Sequence, residues 1–303
     1  MDTQQLRYFI AIVDNGSYLR AASALGATQS ALTKSVARLE SLLGVKLLNR
    51  GRHGATPTAF GVAFVSRARA ICAEEVAART ELSDLMHGDH GHVRLGMGIS
   101  FANGIVPVAI QKFREHYRRA TITAIEGMSP ELFKDLGNGV VDFVVSSPLD
   151  RPPSLALNFH QTFLFDDTDD IVAAQDHPLA GKPNVPFGAL RDYPWVISER
   201  VPMIRHLVWQ TFREHGVPPP DHVILTDSVE LAKRLVTEQN YLVLLGREFI
   251  RYEEASGVLC ALSIDGFRPM RSAYLTRRKG STLNAASTKF IELLIEIAGR
   301  RMP

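Results

Sequence analysis

Two short glycine-containing segments of this 303-residue chain come close to motifs that carry chemistry. Residues 98–102 (GISFA) nearly match the G-x-S-x-G turn of hydrolytic enzymes, but Ala102 replaces the last glycine and no histidine is evidently paired with the serine. Residues 96–98 (GMG) open like a dinucleotide-binding loop, yet Phe101 stands where the third glycine is needed. We therefore expect no enzyme and no cofactor.

Two clusters have side chains of the types that bind metal ions. His87, Asp89, His90 and His92 have a metal-like spacing but fall on a glycine-containing linker, which holds ligands poorly in place, so we expect a solvated hinge and no metal. The acids of segment 166–170 lack a calcium-binding loop around them, and we expect a solvated turn there.

The composition limits the class of protein. A hydrophobic fraction of 46% excludes global disorder, and two distant cysteines, Cys72 and Cys260, exclude a disulfide scaffold and indicate a reducing compartment. No stretch approaches the ~20 apolar residues of a membrane helix, and the first residues lack the features of a signal peptide. These observations predict a cytoplasmic protein without a membrane partner.

Charge is distributed unevenly. Residues 1–60 carry seven Lys/Arg and three Asp/Glu, a net charge of +4, while the whole chain has a net charge of only +2. A small basic head on an almost neutral body indicates that the head meets a polyanion.

The head has the periodicity of three short helices followed by a hairpin. Apolar residues at helical spacing predict helices over 4–14, 18–25 and 29–43, and Gly44 ends the third. Residues 45–58 then suit a small basic hairpin. Three helices, a tight turn and such a hairpin are typical of a winged helix-turn-helix, whose second motif helix lies in the major groove of DNA.

The third helix has side chains suited to DNA. Gln29 can pair with adenine, Thr33 can donate or accept, and Thr28 and Ser30 lie where free helix amides attract phosphate. The predicted DNA-contacting residues are Thr28, Gln29, Ser30, Thr33, Lys34, Arg38, Arg50 and Arg52. The alternative is that these residues form the solvated face of an ordinary three-helix unit.

Beyond the head, residues 59–87 predict one long helix whose apolar residues, among them Phe60, Phe64, Ala68, Ile71 and Leu82, form a seam for a second copy of the chain. After a glycine-rich break, short apolar strands alternate with helices, which predicts an α/β sheet covered by helices.

The head resembles the DNA-binding domain of LysR-type transcriptional regulators. The matching segments are 6–9 (LRYF), 16–22 (GSYLRAA), Leu25, 28–34 (TQSALTK), 39–40 (LE), 43–50 (LGVKLLNR) and 58–61 (TAFG). Mild departures from the family pattern stand at Tyr18, Thr28, Thr33, Lys34 and Leu48. Lysine in place of arginine at Lys34 weakens bidentate base recognition.

The resemblance implies a complete domain plan. It comprises a winged helix-turn-helix over 1–58, a linker and dimerisation helix over 59–88, and a two-lobed α/β effector domain like periplasmic binding proteins over 92–303. Lobe I would take about 92–162 and 267–303, and lobe II about 163–266.

Hydroxyl side chains at predicted strand ends then become candidates for ligand contact, since helix N-termini there favour carboxylates. The predicted effector-binding residues are Ser100, Phe101, Ser129, Ser146, Ser198, Arg200, Pro202 and Thr226. The alternative for each serine or threonine is a plain helix cap.

We therefore expect a regulator, dimeric or tetrameric, that binds an inverted-repeat promoter site and responds to a small organic acid or aromatic effector in the cleft. The alternative is a small-solute-binding sensor protein without specific DNA binding.

Overall fold

The computed structural model describes residues 1–51, 54–87, 91–147, 158–199 and 201–300, with the backbone alone at positions 50, 80, 81, 83–87 and 202. In the head, three helices precede a two-stranded hairpin. Their bounds are α1 Thr3–Asn15, α2 Tyr18–Ala24, α3 Gln29–Leu43, β1 Leu48–Gly51 and β2 Gly54–Pro57.

Local chemistry explains where the head helices begin and end. Asp2 and Gln5 form a capping box at the start of α1, and the Thr28 hydroxyl accepts from the amide of Ala31 at 3.2 Å at the start of α3. Gly16 and Gly44 end α1 and α3 in the left-handed region. The core between the helices includes Leu6, Phe9, Ile12, Leu32, Val36 and Leu39. Leu43, the last residue of α3, has the helical spacing of a core residue but is 36% exposed.

Helix α4, Ala59–His87, follows the hairpin and divides its apolar residues between two surfaces. Phe64 packs on Phe9 with ring centroids 5.8 Å apart, and Ala68 is fully buried against the head. Phe60 and Leu82 remain about 60% exposed. The single seam expected from the sequence is therefore split, because part of it covers the core of its own chain.

The body is a sheet with helices on its faces. Its strands are β3 His92–Met97, β4 Thr121–Glu126, β5 Phe143–Ser146, β6 Phe159–Ala174, β7 Trp195–Ile197, β8 Val223–Leu225, β9 Leu242–Gly246, β10 Leu259–Ala261 and β11 Met270–Arg278. Its helices are α5 Ile105–His116, α6 Ser129–Asn138, α7 Pro202–Glu214, α8 Val229–Gln239, α9 Arg251–Ala255 and α10 Ala285–Gly299.

The strand order is β4-β3-β5-β11-β6-β9-β7-β8, with β10 paired to β6. Strands β3, β4 and β5 are parallel, as are β7, β8 and β9, and the long antiparallel pair β6–β11 joins the two groups. One apolar core lies around Phe113 and Phe290, and another around Trp195 and Phe212. The predicted limits of the lobes stay a prediction.

Strand β6 corrects the expected solvated turn at 166–170. The strand runs without a break through these acids, opposite β11. Arg271 of β11 donates to Asp167 Oδ2 from Nε at 3.0 Å and lies 3.3 Å from Asp169 Oδ1. This arginine compensates the carboxylates and lets the acidic segment join the sheet.

The described residues include no helix that is both long and apolar enough to cross a membrane.

Of the four residues with metal-like spacing, His92 has a described side chain, and its ring Nε2 lies 2.8 Å from the hydroxyl of Thr123. The side chain of His87, together with Asp89 and His90, lies outside the described residues.

Candidate nucleic-acid interface and ligand cleft

The outer face of α3 is polar and carries positive charge. Gln29, Ser30, Lys34 and Arg38 are exposed, and Thr33 is half-buried. In the described part of the chain, no carboxylate lies within 4 Å of Lys34 or Arg38. Two uncompensated cations one helical turn apart keep their charge available for an external anion.

A buried carboxylate ties α3 to the hairpin. Glu40 is 8% exposed, and its Oε1 accepts from the amides of Leu47 at 2.9 Å and Leu48 at 3.1 Å, while its Oε2 accepts from Lys46 Nζ at 2.7 Å. Burial raises the pKa of the Glu40 carboxyl, but the hydrogen bonds from Lys46, Leu47 and Leu48 outweigh it and leave that pKa below its ordinary value.

Sequence analysis missed the role of Glu40, although a glutamate within the apolar stripe of a helix was a usable signal. Its three hydrogen bonds fix the angle between α3 and the hairpin. A second tie runs from the hairpin amide of Ala55 to the carbonyl of Gly16, at 2.9 Å. The two elements expected to meet DNA therefore form one rigid unit.

Two of the predicted DNA contacts, Arg50 and Arg52, belong to the hairpin segment of the sequence. The backbone of Arg50 lies in β1 opposite Ala55, but its side chain lies outside the described residues. Arg52 also lies outside them. Both stay predictions.

The head contacts the body through a small polar junction. Arg69 of α4 donates to Asp14 at the end of α1, and its Nη1 donates to Asn138 Oδ1 at 2.6 Å. Lys134 of α6 places its Nζ 3.5 Å from Asp14 Oδ2. Asp14 therefore receives one cation from the linker helix and one from the body, so the orientation of the head depends on the position of α6.

Close backbone packing accompanies these polar contacts. Gly139 ends α6 with φ of +75°, and a methyl group at this position would lie 2.7 Å from both Cα and Cβ of Ala73 on α4. No side chain fits between the two helices at this point.

A cavity of about 300 Å³ opens between the β3–β4 side of the body and the β7–β9 side. Its described lining consists of Ile99, Ala102, Asn103, Glu126, Asp227, Ser228, Val229, Glu230 and Phe249. Carboxylates therefore stand on both walls, together with apolar surface from Ile99 and Phe249. Asp227 accepts from the Ser198 hydroxyl at 3.0 Å, and Glu230 lies 3.7 Å from Lys233 of its own helix.

Among the described residues that line this cavity, none is a predicted effector-binding residue, although several lining residues are their neighbours in sequence. Ser100 and Phe101 are buried behind it, at 4% and 2% exposure. Ser129, Ser198 and Thr226 are half-buried. All five stay predictions.

The three further predicted effector-binding residues are Ser146, Arg200 and Pro202. Ser146 is 1% exposed, and within the described residues its hydroxyl has no hydrogen-bond partner. Arg200 lies outside the described residues, as does the side chain of Pro202. Sequence analysis missed Glu126 and Phe249, which line the cavity.

Comparison with known proteins matches both parts of the chain. Residues 3–62 match the family described as bacterial regulatory helix-turn-helix protein, lysR family, and residues 87–298 match the LysR substrate binding domain. The SDS degradation transcriptional activation protein of a Pseudomonas species is 29% identical over 100% of this chain and 98% of its own length.

Solved structures share the fold. A variant of full-length OxyR from Pseudomonas aeruginosa aligns with a TM-score of 0.60 at 19% identity, covering 98% of this chain and 94% of that one. Full-length CbnR in complex with its target DNA aligns with a TM-score of 0.53 at 20% identity, covering 98% of this chain and all of the other.

Proposed function

The chain belongs to the LysR family of DNA-binding transcriptional regulators, and we propose that α3 reads its promoter site from the major groove. Gln29 contacts base edges, while Thr28 and Ser30 hold a phosphate at the start of the helix. Lys34, one turn further along, neutralises a backbone phosphate. Thr33 and Arg38 extend this contact, and Arg50 and Arg52 of the hairpin complete it.

One observation carries this proposal. The uncompensated cations of α3 share a rigid unit with the hairpin, because Glu40 joins the two through three hydrogen bonds. A rigid pair of elements can select one DNA geometry, whereas a loose basic surface would bind any duplex through phosphates alone.

Genomic-fragment selection tests it. Full-length protein is mixed with sheared DNA of its source at physiological salt, and the retained fragments are sequenced. We expect discrete sites with two half-sites about one helical turn apart, and we expect the Gln29→Ala/Lys34→Ala variant to lose them.

The matched control for this test is Gln210→Ala/Lys289→Ala, the same two exchanges at exposed positions of the body. It should retain the wild-type sites. Uniform, salt-sensitive retention that is equal in all three proteins would mean non-specific charge only. The alternative, a solute-binding sensor without specific DNA binding, would then be the better description.

The cavity between the two sides of the body is the proposed effector site. The sequence led us to expect either a small organic acid or an aromatic effector. The described lining favours an aromatic effector, because Phe249 and Ile99 offer apolar surface. Its carboxylates, on Glu126 of one wall and Asp227 and Glu230 of the other, disfavour an organic acid. We therefore propose an aromatic effector whose polar end donates hydrogen bonds or carries positive charge.

A ligand panel distinguishes these classes. Aromatic amines, alcohols and carboxylates matched in size are added to full-length protein, and the thermal midpoint is measured. Amines or alcohols should raise it, in proportion to the logarithm of their concentration well above Kd. Stabilisation by the carboxylates alone would contradict the proposed class. Loss of the response in Glu126→Gln, but not in Glu292→Gln, an exposed glutamate of α10, would locate the site.

Two further features belong to the proposal. Exposed apolar residues of α4, among them Phe60, Val62 and Leu82, are covered by a second copy of the chain in the homo-oligomer, dimeric or tetrameric. A symmetric dimer fits an inverted repeat.

Because promoter DNA is the target, we infer that the protein acts in the cytoplasm.

A further inference from the structure

A second groove lies in the head, on the side of α3 that faces α1. It measures about 300 Å³ and is lined by Asp2, Gln4, Gln5, Tyr8, Ala31, Lys34, Ser35 and Arg38. One wall therefore comes from the first helix of the head, which the sequence did not connect with DNA, and the other wall comes from the proposed recognition helix.

The α1 wall presents a fixed hydrogen-bond donor. The ring of Tyr8 packs against the head core, and its hydroxyl oxygen accepts from Gln4 Nε2 at 3.0 Å. Since the oxygen is the acceptor in that bond, its own hydrogen is available to an external group, and within the described residues no acceptor takes it. The packing of the half-buried ring against the core restricts where this donor can point.

The α3 wall presents positive charge. Lys34 and Arg38 both line the groove, one helical turn apart, and neither is within 4 Å of a described carboxylate. Asp2 is the one acid among the lining residues, and its Oδ1 accepts from the amide of Gln5 at 2.7 Å, so it is engaged as a helix cap. Two cations facing a hydroxyl donor suit a phosphodiester anion.

We propose that this groove holds a backbone phosphate of the bound DNA, with the Tyr8 hydroxyl donating to a phosphate oxygen between Lys34 and Arg38. Gln4 positions the hydroxyl through its amide. The proposal rests on the proposed function: only when α3 lies in the major groove does the side of α3 that faces α1 meet the DNA strand that borders this groove. Phosphates border that groove on both sides, and contacts to them fix the register of the protein.

Tyr8→Phe tests this with full-length protein and a site recovered by fragment selection. Removing one hydrogen bond to a charged oxygen at each half-site should raise the Kd of the dimer about a hundredfold, about tenfold per half-site. The same factor should apply to random DNA, because a phosphate contact carries no sequence information. The slope of log Kd against log salt should not change, since no charge is removed. Arg38→Ala should reduce that slope by about two, one for each copy of the dimer.

Phosphate substitution locates the contact. Single methylphosphonates are placed along one half-site, and one position should weaken binding by the wild type but not by Tyr8→Phe. Tyr252→Phe, an exposed tyrosine of the body, is the matched control and should behave as wild type.

Results of two kinds would overturn the assignment, the first from the DNA-binding measurements and the second from phosphate competition. One is wild-type affinity of Tyr8→Phe, or equal methylphosphonate effects at every position in both proteins. The other is displacement of DNA by inorganic phosphate, at matched ionic strength, from the wild type but not from Tyr8→Phe, which would assign the groove to free phosphate. Failure of the proposed function has a different signature, because the wild type would then not distinguish the selected site from random DNA.

Discussion

Replacing Glu40 with alanine is expected to lower the free energy of unfolding of the head by about 2–6 kcal/mol. The exchange leaves the amides of Leu47 and Leu48 without their buried acceptor, and each unsatisfied buried donor costs about 1–3 kcal/mol. The bond to Lys46 adds little, since that lysine side chain is 76% exposed. The hairpin would then lose its fixed angle to α3, and specific DNA binding would weaken with it.

Hydrogen exchange on the full-length protein measures this effect. Amides of the segment 39–50 should exchange faster, while the fluorescence of Trp195 and Trp209, both in the body, should report unchanged unfolding of that part. Glu40→Gln is the conservative control, because its amide oxygen can still accept from both backbone donors. Equal protection of the segment in the wild type and in Glu40→Ala would contradict the proposed anchor.

The same carboxylate predicts a pH dependence. Its pKa in the folded chain lies below the ordinary value of 4.5, because Lys46 and two backbone amides stabilise the charged form against the opposing effect of burial. Its contribution is therefore complete above pH 4.5 and is lost as the pH falls through the folded-state pKa. The difference in head stability between the wild type and Glu40→Gln should be constant at neutral pH and should shrink below pH 4.5.

The sequence predicted the head well because its signals are local. Thr28 caps α3 and Gly44 ends it, so both bounds of the proposed recognition helix could be read from neighbouring residues. Where the determinants are distant, prediction failed. The acids of β6 were expected in a solvated turn because Arg271, which compensates them, stands 104 residues away from Asp167.

The lining of the cavity shows a second kind of information that sequence patterns do not carry. Strand-end logic pointed to Ser100 and Phe101, but the turn Ile99–Ala102 buries both side chains and leaves Ile99 and Ala102 on the cavity. Which residues of a single tight turn face inward depends on its orientation against the core, and no periodic pattern records that. Phe249 was missed because it comes from a different part of the chain, beyond β9.

No sequence pattern predicted the junction between head and body. Gly139→Ala is expected to disrupt this junction and to lower the free energy of unfolding by about 2–5 kcal/mol. Alanine at φ of +75° is strained by about 1–2 kcal/mol. Its methyl group would also lie 2.7 Å from Cα and Cβ of Ala73, and relieving such overpacking adds about 1–3 kcal/mol. Because Cα belongs to the α4 backbone, α6 and α4 must separate.

A second glycine with a similar φ separates the effect of the contact with Ala73 from that of the backbone strain. Gly216 follows α7 with φ of +69°, and a methyl group there would meet nothing within 4 Å, so Gly216→Ala should cost the strain alone. Thermal unfolding and hydrogen exchange over 69–76 should distinguish the two variants, with faster exchange only in Gly139→Ala. Adding Ala73→Gly to Gly139→Ala should not restore protection, because the Cα of residue 73 stays 2.7 Å from the added methyl group.

The functional consequence of Gly139→Ala follows from the position of Asp14. This carboxylate joins the end of α1 to Arg69 of α4 and Lys134 of α6, so a body that changes shape on binding an effector moves the head through these contacts. A ligand that changes the DNA affinity of the wild type should therefore change that of Gly139→Ala much less, while Gly216→Ala responds normally. An undiminished response in Gly139→Ala would mean that coupling runs through another route, such as the interface between the two copies.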